Sequence, residues 1–144
     1  MKKRIIYTNS DGELTVIIPS PNWQGTTLEL AYKDVPKGAS FEIVDAESLP
    51  TDRTFRNAWV KDGSVVKTDM PKAKEIAHTK RRLARDEHMA PLDIKSTIPK
   101  ESVKAESDRA ALRVTYDKIQ RKINKSTTEA ELKSHMAKPE MQLK

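Results

Sequence analysis

A chain of 144 residues is one domain's worth of sequence, and an apolar share of 36% is low for a compact fold, so the expected core is small or completed by a partner. The absence of cysteine excludes a disulfide framework, a thiolate nucleophile and a zinc site built on sulfur. The net charge of +6 lies entirely in the second half: residues 1–68 carry 9 basic and 9 acidic side chains, whereas residues 69–144 carry 18 and 12. Tyr7, Trp23, Tyr32, Phe41, Phe55 and Trp59 all precede residue 60, leaving only Tyr116 beyond it, so the proper core is expected in the N-terminal part.

The opening MKKRIIYTNSDGEL has a basic start but lacks the apolar run of a signal peptide. No stretch approaches the roughly 18 apolar residues of a membrane span. These features predict a soluble protein made in a cytoplasm, with no membrane partner. RIIYTNSDGELTVII reads as two strands joined through Asn9-Ser10-Asp11-Gly12, Gly12 supplying the positive φ that such a turn needs. Pro19 and Pro21 stop the second strand, and Trp23 falls in a polar loop. LELAYKDVP and FEIVD read as short extended runs, the second with Phe41, Ile43 and Asp45 on one face and Glu42 and Val44 on the other. Together these predict a small, mostly antiparallel sheet over the first 48 residues.

SLPTDRTFRNAWV offers Thr51 or Asp52 as an N-cap for about two turns of helix at 51–59, with Phe55 and Trp59 as i, i+4 neighbours and Arg53 and Arg56 pointing elsewhere. On one reading the two rings close the open face of the sheet. On the other, Arg53, Phe55, Arg56 and Trp59 form an exposed anchor for a partner protein, Trp and Arg being typical hot-spot residues. VKDGSVV then supplies further strand around an Asp62-Gly63 turn, closing a β-rich region at 1–68.

From Asp69 the pattern becomes helical through residue 144. A first helix at 69–90 carries Pro71 in its first turn and ends at Pro91; its stripe of Ala73, Ile76, Ala77, Leu83, Ala84 and Met89 is thin and calls for company. LDIKSTIPKES reads as a connector. A second helix at 100–124 places Leu112, Tyr116, Ile119 and Ile123 on one seam, a candidate interface too short to specify an autonomous coiled coil. Ser126 with Glu129 reads as a capping box for a third helix at 127–137, and KPEMQLK beyond it is expected to fray. The fold class expected is α+β, a small N-terminal antiparallel β region followed by a C-terminal helical arm or hairpin.

The sequence offers no catalytic, cofactor-binding or metal-ligating set. Its four glycines are scattered, which argues against a phosphate loop, and His78, His88 and His135 are spaced too widely for shared metal ligation, each reading as a solvated surface residue. No carboxylate has an apolar setting that would fit it for acid–base work. Lys80, Arg81, Arg82 and Arg85 are candidate contacts to phosphates, against which stand the interrupting acids and the lack of an interleaved aromatic residue for stacking on bases.

The segment LPTDRTFRNAWVKDGSVVKTDMPKAKEIAHTKRR resembles a group of small tailed-bacteriophage proteins of the tail or tail-fibre region. In these, a VDAESLP-like phrase precedes a DRTFRNAW-like one, a Gly-containing turn, an acidic-Met-Pro-Lys-Ala helix start and an arginine-rich helix. The resemblance covers about residues 40–90 and, loosely, residues 126–133. It implies a non-enzymatic virion structural protein, made in the host cytoplasm, acting as an adaptor or accessory component. Its partners would be tail, fibre or head–tail proteins, and it would be present in multiple copies or as a homo-oligomer. Two other roles are open at this level: a fibre assembly chaperone not retained in the particle, and a small basic nucleic-acid-binding protein.

Overall fold

Ile5 and Ile6 are adjacent in sequence and both fully buried. Neighbouring residues of a strand point to opposite faces, so the sheet that holds them is covered on both sides. The computed structural model describes residues 2–143, and the chain divides into two compact units between Asp69 and Met70. It is an α+β protein, with a small antiparallel sheet first and long helices after it.

In the first unit the isoleucines belong to β1 (Lys3–Thr8), the central strand of a three-stranded antiparallel sheet. β1 pairs on one side with β2 (Leu14–Ile17) and on the other with β3 (Phe41–Asp45). The β1–β2 turn is built as the sequence predicts: Gly12 has φ +79°, and the Asn9 side chain accepts from the amides of Asp11 and Glu13. Register places Ile5 between Ile17 and Ile43, and Ile6 beside Val16.

The face carrying Ile5 is covered by a helix where extended chain is expected. LELAYKDVP forms α1 (Thr27–Asp34), which seats Leu30 and Ala31 on Ile5 with Ile17, Trp23, Val35, Phe41 and Ile43 around them. The local signal is Thr26, whose hydroxyl accepts from the Glu29 amide as an N-cap, with Glu29 in the acid position of a capping box. Val35, which precedes Pro36, ends the helix in an extended conformation.

The opposite face, carrying Ile6, Leu14 and Val44, is closed by Trp59 with Val66 and Leu49 packed alongside. Trp59 opens β4 (Trp59–Asp62), which forms a hairpin with β5 (Val65–Thr68) across Gly63, at φ +59°. The two-turn helix expected at 51–59 is therefore a single 3₁₀ turn, Arg56–Ala58, running directly into a strand. Asp52 does not cap a helix: its carboxylate accepts from both the amide and hydroxyl of Thr54, an Asx turn, and Trp59 and Val60 are spent on pairing with Thr68 and Lys67.

The second unit is a helical hairpin closed by a short return. α2 (Met70–Lys95) runs past Pro91, which lies inside it, instead of ending there. The missing amide of Pro91 removes one hydrogen bond near the C-terminal end, and the helix still continues to a Ser96 amide bonded to the Leu92 carbonyl. α3 (Ser102–Lys125) packs along α2, and pairing of His78 with Asn124 and of Asp93 with Arg109 fixes the two as antiparallel. The fully buried apolar side chains of α2 are small, Ala73, Ala77 and Ala84; the buried ones of α3 include the large Tyr116, Ile119 and Ile123. The aromatic-poor half therefore builds a core of its own.

α4 (Glu129–Met136) is capped by Thr128, two residues after the expected position, and Glu131 reaches back to the Thr127 amide and hydroxyl. Ser126 instead caps α3, its hydroxyl donating to the Lys122 carbonyl. KPEMQLK does not fray over its described part. Pro139–Met141 form a 3₁₀ turn, Met141 is fully buried, and the Tyr116 hydroxyl donates to the Glu140 carbonyl at 2.6 Å. The surface role expected for the histidines changes too. His78 is buried between Asn124 and Arg81, and His88 lies 3.2 Å from the Gln142 carbonyl.

Candidate functional site

Within the residues nominated from sequence, the structure separates framework from surface. Trp59 is 4% exposed and belongs to the sheet's inner cluster; Phe55 is 2% exposed. Neither ring is a free anchor, and the two do not share a helix face. Arg56 is half-buried over Trp59, its guanidinium carbon 5.0 Å from the ring centroid, with both terminal nitrogens donating to the Leu14 carbonyl at 3.3 Å. It clamps the 3₁₀ turn onto β2 through a cation–π contact and charge-assisted hydrogen bonds. Of the four, only Arg53 is exposed.

The α3 seam is turned inward. Tyr116, Ile119 and Ile123 are buried against the rest of the second unit and Leu112 is half-buried, so the periodicity marks an intrachain core in place of the expected interface with a partner.

The basic cluster is dispersed by the helix. Arg81 is 5% exposed, its Nε donating to His78 Nδ1, and burial lowers its pKa from the ordinary arginine value. Because His78 Nδ1 accepts there, its Nε2 is the nitrogen that donates to Asn124 Oδ1. Arg82 is held by Glu75, whose carboxyl that contact keeps below its usual range, and Arg85 by Asp86 at 3.3 Å. Lys80 is half-buried. A phosphate backbone meeting this face would find one arginine inside the helix packing and two already paired.

Two other features stand out on the second unit. The first is the bend between α2 and α3, where Ile94 (67% exposed), Ile98 (41%) and Val103 (83%) lie within ten residues. The bend is held by successive turns: the Thr97 amide bonds to the Ile94 carbonyl, that of Ile98 to Lys95, and that of Glu101 to Ile98. The apolar side chains are thus presented on fixed backbone. LDIKSTIPKES reads from sequence only as a connector; its two isoleucines and the following valine were the available signal.

The second is a cavity of about 170 Å³ lined by Thr115, Lys118, Ile119, Lys122, Lys138 and Glu140. Thr115, Lys118 and Lys122 lie on one stripe of α3, while Lys138 and Glu140 come from the return segment that Tyr116 fixes. Lys122 and Lys138 line the same cavity; the interaction with Lys122, then burial, lowers the Lys138 pKa, with Glu140 opposing. Nearby His135 has a buried, unpartnered Nδ1, and its pKa is lowered by burial and then by Lys138 and Lys122. The spacing of Lys118 and Lys122 is visible in the sequence, but the arrival of Lys138 beside them depends on the return.

Among the described residues there is no group of His, Asp or Glu arranged to hold a metal ion, and no helix is long and apolar enough to cross a membrane. No family model matches the chain, and neither curated proteins nor solved structures give a significant match.

Proposed function

We propose that this chain is a non-enzymatic structural protein of a tailed-bacteriophage particle, an adaptor or accessory component of the tail or tail-fibre apparatus that seats other subunits. The observation that carries the reading is the α2–α3 bend, where Ile94, Ile98 and Val103 project from a hydrogen-bonded turn at 41–83% exposure. A rigid apolar end costs little ordering entropy when it is covered, which suits a permanent contact. Full burial of an exposed side chain of this kind contributes about 1.5–3 kcal/mol, and these, already partly covered, contribute less each, enough to centre an interface but not to make one alone. The resemblance of residues 40–90 to phage tail-region proteins, which stops short of the bend, supports reading that contact as part of a tail assembly.

Mass spectrometry of purified particles tests the proposal. Stoichiometric recovery of the chain is expected, and particles assembled from Ile94→Ser/Val103→Ser protein should lose it while the free variant keeps its helical circular dichroism. Wild-type particles lacking the chain would refute the proposal.

A further inference from the structure

We propose that the cavity formed by Lys118, Lys122 and Lys138 on α3 and the return segment is a binding site for a phosphate dianion. Three lysines, of which Lys118 and Lys122 are exposed, and one carboxylate, Glu140, line this cavity of about 170 Å³, a surplus of two positive charges. None of the three lysines takes part in an ion pair among the described residues, whereas Lys104 pairs with Asp108 and the arginines Arg109 and Arg113 pair with Glu106. Lys122 and Lys138 are held near each other by the fold: α3 fixes one, and the Tyr116–Glu140 and Met141–Lys138 hydrogen bonds fix the segment carrying the other.

Like charges brought this close repel, and a shared anion relieves the repulsion while accepting from both. The Thr115 hydroxyl donates to the Ala111 carbonyl, so the side-chain donors on offer are the lysine ammonium groups. That favours a compact oxyanion with several acceptor oxygens and two negative charges, which a phosphate monoester approaches near pH 7. The cavity is smaller than the roughly 300–1,000 Å³ of pockets that enclose drug-sized molecules, so it admits inorganic phosphate or a terminal phosphoryl group and leaves any attached group outside. The inference does not depend on the assembly role.

The test is titration of the full chain at about pH 8, where the phosphate is dianionic. Inorganic phosphate is added against sodium chloride of equal ionic strength, with lysine side-chain and backbone NMR shifts as the readout. Saturable shifts at Lys122, Lys138 and Gln142 are expected with phosphate alone. Lys138→Met, which keeps the apolar stem, should weaken binding at least about tenfold, the loss of roughly one charge-assisted hydrogen bond. Lys104→Met, outside the cavity, should leave it unchanged. A parallel titration with a dinucleotide, with and without a 5′-phosphate, separates the sources: a gain confined to the phosphorylated form identifies a terminal phosphoryl group, and binding of inorganic phosphate alone identifies the free ion. Equal shifts with chloride, or equal affinity in the wild type and Lys138→Met, would overturn the proposal. Folding of the variant is checked by its melting temperature, which should rise in the absence of phosphate because a like-charge contact is removed.

Discussion

Trp59→Ala is the substitution whose cost is largest on physical grounds. The ring is 4% exposed and closes the sheet face formed by Ile6, Leu14 and Val44. Burial of about 150–250 Å² of aromatic surface at about 25 cal/mol per Å² corresponds to roughly 4–6 kcal/mol as an upper bound, and Trp→Ala in cores costs about 3–5 kcal/mol. Natural domains have only about 5–15 kcal/mol in hand, so the first unit should lie near its unfolding midpoint. Arg56 adds a second test, since its guanidinium sits 5.0 Å from the same ring and donates to the Leu14 carbonyl. Arg56→Met should cost about 1–3 kcal/mol, and a double-mutant cycle with Trp59→Leu should give a coupling of about 0.5–2 kcal/mol. The assay is urea unfolding followed through the Ile5 and Ile6 methyl signals, which report this unit directly. A loss under about 1 kcal/mol for Trp59→Ala would refute the packing assigned to the ring, and zero coupling would refute the clamp assigned to Arg56.

Other outcomes follow from the second unit. Ala77→Leu puts a branched side chain where α2 meets α3 at a fully buried position, and should destabilise by about 1–3 kcal/mol in chemical denaturation. Tyr116→Phe removes the donor to the Glu140 carbonyl and should cost about 1 kcal/mol, with faster amide exchange at Met141. His135 has a pKa lowered by burial, then by Lys138 and Lys122, with Glu131 opposing. The unfolded chain therefore takes up a proton at about pH 6.5 that the folded chain refuses until lower pH, and stability falls as pH drops through that window. His135→Gln should flatten the fall in urea midpoint between about pH 7.5 and 5.5; a variant whose midpoint tracks the wild type would contradict this assignment. Asp62, Glu75 and Glu106 are exposed and shifted below the ordinary carboxylate range by their Lys or Arg partners, so their losses come at more acid pH and do not blur the test.

The elements readable from sequence are those with a period or a local cap. The Asn9–Gly12 turn, FEIVD and the second long helix fall where their patterns put them, and the first long helix starts as expected but runs through Pro91 to Lys95. LELAYKDVP forms a helix where extended chain is expected because its apolar run has no clean alternation, and the decisive sign is Thr26, just ahead of it, paired with Glu29 at its start. DRTFRNAWV misled in another way: its i, i+4 rings fit a helix, but the downstream valines offered Trp59 and Val60 a strand partner that local reading does not weigh. The α3 seam was legible as apolar and its destination was not, because a stripe of the same spacing serves an intrachain or an interchain neighbour equally well. Burial of Arg81 is not readable from the sequence: His78 lies one turn away on the same helix, but only packing of α2 on α3 brings Asp117 near Arg81 and Asn124 onto His78. Lys138 is the same kind of case, meeting Lys122 through a return that the sequence suggests should be loose.

Adjacent Ile5 and Ile6, each facing a different lid, give the central strand an unusual demand on inheritance. One isoleucine answers to Leu30 and Ala31 on the helix side, the other to Trp59 and the hairpin side. A one-residue slip of β1 against its neighbours would turn Ile5 toward the hairpin lid and Ile6 toward the helix lid, swapping two dissimilar contacts at once. The two lids are therefore tied to each other through a single peptide bond.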